Sequence, residues 1–184
     1  MSESAFSGDL VAPQLSTDFF VWLWFSSERG KGIVELEEAD QPADGGRISI
    51  DYFVDDRLVF CNPDAESMKA VITGENTAGA LEAKAALSAG KVIQEIRLHM
   101  TVDEVEYGVT LKGPFLDLSG LKLPSLSLDG DAGGDDRGTL LIRMSQYEEV
   151  WGYIGTLYRH FAKIRTGPDW QDQYAQIKKW LSEI

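Results

Sequence analysis

Hydrophobic and polar positions alternate most cleanly between residues 92 and 111. Val92, Ile96, Leu98, Met100 and Val102 trade places with Gln94, Glu95, Arg97, His99 and Thr101, with one slip at Ile93. After Asp103-Glu104, the residues Val105, Tyr107, Val109 and Leu111 alternate with Glu106, Gly108, Thr110 and Lys112. A period of two with one dry and one wet face predicts an antiparallel hairpin, 92–102 with 105–111. Its buried face would hold Ile96, Leu98, Met100, Tyr107, Val109 and Leu111. A second hairpin is predicted at 48–61, with Ile48 to Tyr52 going out, Asp55-Asp56 turning and Leu58 to Cys61 returning. Residues 33–36 and 68–73 read as short strands.

Helical periods fill the rest. The run Phe19-Phe20-Val21-Trp22-Leu23-Trp24-Phe25 is apolar on every side, so a helix there must be buried on more than one face. Ser16 or Thr17 is its expected cap, Asp18 lies near its positive end, and Gly30 stops it. Residues 80–87 are strong helix formers, capped by Thr77 and ended by Gly90. From Thr139 to Arg165 the residues Leu140, Met144, Tyr147, Trp151, Ile154, Tyr158 and Phe161 recur in steps of four and three. Gly152 and Gly155 inside that helix suggest a close helix crossing. Gly167-Pro168 breaks it, and Asp169 opens a last helix with Trp170, Tyr174, Ile177 and Leu181 on one stripe and Trp180 beside them.

The expected fold class is therefore α+β: antiparallel β-hairpins forming a sheet packed with helices, a long C-terminal helix and a final short helix. Residues 1–16 are expected to be a mobile tail and 17–184 a single domain. Within it, 113–126 reads as an irregular hydrophobic connection and 127–138, with four Gly and four Asp, as an acidic flexible loop.

Charge and cysteine usage narrow the functional classes. The net charge of −13 is uneven, since residues 1–83 hold 16 of the 30 acidic side chains and 5 of the 17 basic ones. Such a field repels nucleic acid and anionic membrane at long range. One cysteine, Cys61, leaves no internal disulfide and no multi-cysteine metal site, which suits a reducing cytoplasm. The longest apolar run, seven residues, is far short of a membrane span, and no signal peptide is read at the N-terminus.

No catalytic constellation emerges. His99 falls on the wet face of a strand and His160 near a helix end, neither with a nucleophile in a recognisable motif. Residues 129–136 superficially resemble a calcium loop but lack its closing Glu. The reading is a non-enzyme with no cofactor and no metal. One cationic cluster stands out: Arg159, Lys163 and Arg165 in the last turns of the long helix. Arg97 and Lys112 on the hairpin's wet face add to it. These residues are candidate phosphate contacts, or simply compensate a helix dipole.

The segment 86–98, Ala-Leu-Ser-Ala-Gly-Lys-Val-Ile-Gln-Glu-Ile-Arg-Leu, resembles the C-terminal half of the recombination-associated protein RdgC family. There a helix ending in Ala-Gly-Lys-Val leads into a β-hairpin. Ser119-Gly120-Leu121-Lys122-Leu123-Pro124 is similar to that family's Leu-Lys segment, and Phe20 to Phe25 to the start of the same half. The resemblance implies a DNA-associated protein that closes as a ring-shaped dimer around duplex, without sequence preference, and restrains recombination. It adds Lys91 and Lys122 to the candidate cations. The family's N-terminal half is absent from this sequence, and a ring lumen that holds duplex must be positive, which this chain is not. The expectations are thus a cytoplasmic, nucleoid-associated binder of duplex DNA. The alternative is an oligomeric adaptor for proteins with no DNA binding. On either reading a homodimer is expected, formed through the Leu140–Phe161 stripe and the Trp170/Trp180 helix.

Overall fold

The computed structural model describes residues 12–30, 32–36, 49–62, 65–73, 77–125 and 136–183. The core is organised around one helix. α1 (Ala12–Glu28) carries Phe19 to Phe25, none of them more than 6% exposed. It lies against a six-stranded sheet and is covered in turn by two later helices. Burial on all sides is what a run without a polar face requires, and each such side chain contributes about 2 kcal/mol of transfer free energy. The helix begins at Ala12, so the last five residues of the expected tail, 12–16, are helical; the remainder of that expectation lies outside the described residues.

Among the described residues the strands are β1 (Ile33–Glu35), β2 (Ser49–Asn62), β3 (Ala65–Thr73), β4 (Val92–Val102), β5 (Val105–Lys112) and β6 (Asp117–Lys122). All pairings among the described residues are antiparallel. β1 and β3 share one side of β2, and β4, β5 and β6 follow in order on the other. The 92–111 hairpin forms in the expected register, Val102 opposite Val105, and buries all six side chains assigned to its dry face. Its turn residues Asp103 and Glu104 both take positive φ, 49° and 65°, as a tight two-residue turn needs.

Three expectations are corrected. The predicted 48–61 hairpin is one bent strand, because both halves of β2 pair with β4: Val54 with Leu98 and Leu58 with Ile96. The residues between them bulge, and the return strand is β3. Asp55-Asp56 has no Gly or Asn to supply a two-residue turn, whereas a bulge accepts it. Residues 117–122, expected to be irregular, form β6 on the edge of β5. Finally α3 (Asp136–Thr166) starts inside the expected 127–138 loop, claiming residues 136–138; residues 126–135, like the 41–46 loop, lie outside the described residues.

α2 (Thr77–Ser88) ends as anticipated at Gly90, whose φ of 88° lets Lys91 N–H reach Ala86 O at 3.1 Å. Gly32 has a different duty. A Cβ there would collide with the Tyr52 carbonyl oxygen, at the point where Tyr52 N–H donates to Gly32 O at 2.7 Å. Gly32→Ala is expected to cost on the order of 2 kcal/mol or more by parting β1 from β2. A urea midpoint equal to the parent's would contradict that close approach.

α3 and α4 (Trp170–Ser182) close the domain over α1. Phe161 meets Phe19 at 5.4 Å and Trp22 at 5.7 Å, while Trp180 meets Trp24 edge-on at 4.8 Å. Trp170 and Trp180, expected to offer aromatic surface to a partner, are 4% and 2% exposed. Phe161 and Arg165 of α3 lie against Trp170, and Trp24 and Phe25 of α1 lie against Trp180. Nor does the expected close crossing occur at Gly152, where a Cβ would meet nothing within 4 Å.

Candidate interaction surfaces

Six of the seven candidate cations fall in three separate places. Arg159 and Lys163 are exposed one turn apart on the outer side of α3, with Arg159 Nη2 donating to Thr156 Oγ1 at 2.9 Å. Beside them the His160 imidazole is held below its ordinary pKa, by partial burial first and then by Lys163. Lys91 is half-buried in the turn between α2 and β4. Arg97, Lys112 and Lys122 belong to the sheet face turned away from the helices.

Arg165 joins none of these groups. It is 3% exposed, its Nε donates to Asp18 Oδ2 at 3.0 Å, and its guanidinium lies 4.5 Å from the Trp170 ring centre. A guanidinium held by a buried carboxylate and covered by an indole cannot meet a phosphate, so the expected three-residue strip shrinks to two. Asp18 is fully buried and its Oδ1 has no hydrogen-bond partner. Burial pushes its pKa up to about 6, against the smaller opposing pull of Arg165. In the sequence Asp18 reads as a dipole partner at a helix start. With α1 beginning at Ala12 it sits in the second turn, and the readable signal was a charge directly abutting a seven-residue apolar run.

The open sheet face carries a row that sequence reasoning did not assemble. Phe53, His99, Gly108 and Lys122 are successive cross-strand neighbours on β2, β4, β5 and β6. The half-exposed Phe53 ring stacks on His99, centroids 4.7 Å apart and planes 3° apart. Asp55, delivered by the bulge in β2, approaches His99 Nε2 at 3.2 Å and Arg97 Nε at 3.4 Å. Lys122 lies over Gly108, where a Cβ would come within 3.3 Å of it. An open groove of about 560 Å³ borders this row, lined by both Glu104 and Glu106 as well as Lys122. Lys112 has Glu95 and Asp117 as its register neighbours. Cations and carboxylates are interleaved, so no single-sign field builds up for a polyanion.

The third surface is the first half of α3. Val150, Ile154, Leu157 and Phe161 are buried, but Leu140, Leu141, Ile142, Met144, Tyr147 and Trp151 are 59, 60, 45, 52, 47 and 53% exposed. The helix is nonetheless held to the body along this length. Arg143 Nη1 donates to Pro124 O at 2.8 Å, and Tyr107 OH donates to Glu149 Oε2 at 3.3 Å with its ring edge-on to Tyr153. The seven-residue stripe read from the sequence is thus divided: Ile154, Tyr158 and Phe161 pack within the chain, and the four residues before them face solvent.

Among the described residues no group of three or more His, Cys, Asp and Glu could hold a metal ion, and no helix is long and apolar enough to cross a membrane. Comparison with protein-family models, curated proteins and solved structures finds no match for this chain.

Proposed function

We propose that this protein acts by binding rather than by catalysis, as an interaction module whose contact element is residues 140–151 of α3. The observation that carries the reading is six large apolar side chains left at least 45% exposed within twelve residues of a well-anchored helix. Monomeric proteins rarely leave a contiguous apolar patch of more than a few hundred Å² open to water. Met144→Gln/Trp151→Gln tests it. The thermal midpoint should stay within a few degrees of the parent, because these side chains add little to the chain's own core, while every stable complex formed by the parent is lost. A variant that unfolds would make the face core. Complexes that survive would make it idle.

Sequence-independent association with duplex DNA, which the resemblance to RdgC implies, is the second reading. Arg159 and Lys163, adjacent on the outer side of α3, favour it. Two phosphate contacts predict a slope of only about −2 in log affinity against log salt. Arg159→Ala/Lys163→Ala should abolish such binding. Gel-shift titration at low ionic strength that leaves wild-type duplex unretarded ends this reading and leaves the first untouched.

A further inference from the structure

On the strength of the interaction reading, we infer that the partner of residues 140–151 is a second copy of this chain, with the two α3 helices antiparallel. Leu140 of one copy then faces Trp151 of the other, and Met144 faces Tyr147.

Spacing is the first ground. Leu140, Met144, Tyr147, Trp151, Ile154, Tyr158 and Phe161 keep a strict 4-3 alternation over three heptads, and a 3.5-residue period keeps one seam turned toward a single neighbouring helix. The C-terminal part of the seam has such neighbours within the chain. Tyr158 meets Phe19 at 5.2 Å, and Phe161 meets Trp170 at 6.2 Å. The N-terminal part continues the same seam in the open.

Orientation follows from what already occupies the seam. A parallel partner in register would drive its residues 154–161 into the ground held by α1 and α4, and its own α1 and α4 would meet the same obstacle. An antiparallel partner carries its body beyond residue 140 of the first copy instead. The register is then set by the positions themselves, because 140 with 151 and 144 with 147 share one midpoint, between Ser145 and Gln146. A two-fold axis there forms four layers, each pairing an aliphatic or thioether side chain with an aromatic one.

Area and charge both favour self-pairing. With roughly 100 Å² still accessible on each of Leu140, Leu141, Met144, Tyr147 and Trp151, two facing patches would bury about 1,000 Å², the lower bound for a specific interface. Residues 138–152 carry only Arg143, Glu148 and Glu149, on a chain whose net charge is −13. Two copies of this acidic chain therefore meet here with little repulsion. A basic partner would be drawn to the acidic first half instead.

Disulfide mapping tests the arrangement. Two chains are made in a Cys61→Ala background, one with Leu140→Cys and one with Trp151→Cys. Both sites are exposed, so a thermal melt confirms that each variant folds. Under oxidised glutathione the mixture should form a covalent dimer, and each chain alone should not. Met144→Glu, which would bury an unpaired charge in two layers, should weaken the pair about a hundredfold or more. Cross-linking of each chain with itself would mean parallel helices and overturn the inference. A wild type that keeps single-chain mass at high micromolar concentration would overturn self-pairing altogether. That result leaves the interaction reading to be judged by the Met144→Gln/Trp151→Gln complexes, which do not depend on who the partner is.

Discussion

Asp18→Ala is expected to destabilise the fold by about 3–5 kcal/mol, since it strands the Arg165 guanidinium in a buried site without its counter-charge. At this chain length that is a fall of about 10 °C in thermal midpoint. The pair itself need not be strongly stabilising, because taking both charges out of water costs nearly as much as their attraction returns. Asp18→Leu/Arg165→Met should therefore recover most of the loss, and a double variant as unstable as the single one would contradict this. The pH dependence has a definite sign. Asp18 titrates near 6 in the folded protein against an ordinary 3.8, so folding favours its protonated form. Its stabilising contribution is full below about pH 4 and is lost as pH rises through 6. Wild type should thus gain on Asp18→Asn as pH falls from 7 to 4. The opposite slope in paired urea titrations would mean that Arg165, not burial, governs this carboxylate.

Trp180→Ala is expected to cost about 3–5 kcal/mol through the volume lost beside Trp24 and Phe25. More than packing is at stake there. Trp180 Nε1 donates to Glu28 Oε2 at 2.8 Å, and Lys84 Nζ lies 3.4 Å from the same oxygen and 4.6 Å from the Trp180 ring centre. One indole thereby ties α4 to α1 and α2. Trp180→Phe keeps the ring contacts and loses the donor, for about 1–2 kcal/mol. If Trp180 served an interface between chains instead, Trp180→Ala would leave a monomer as stable as the parent. Chemical denaturation of both variants separates these outcomes.

The 92–111 hairpin was legible because its alternation breaks only at Ile93 and one face is dry, so a register shift of one residue would expose its apolar side chains. The heptad stripe of α3 was legible for the same kind of reason. What fills a stripe is not written in it. Trp170 and Trp180 belong to an apolar helix face just as Tyr147 and Trp151 do, yet the chain's own helices bury the first two and leave the others open. Asp55-Asp56 misled because the bulge depends on β4 pairing with both halves of β2, a contact some forty residues distant. Arg165 misled because a cation in a last turn suits a helix dipole as well as a buried carboxylate. Only the fold brings Asp18, 147 positions earlier, to its side. The row of Phe53, His99, Gly108 and Lys122 likewise exists only once four strands are in register.

The mass of the native protein in solution tests most directly whether residues 140–151 are an interface between copies. Light scattering across a concentration series should give twice the chain mass for the wild type and the single-chain mass for Met144→Glu, which still melts as a folded protein, with a wild-type midpoint that rises with concentration. A wild type that stays at single-chain mass throughout, or a Met144→Glu variant that remains dimeric, would contradict it.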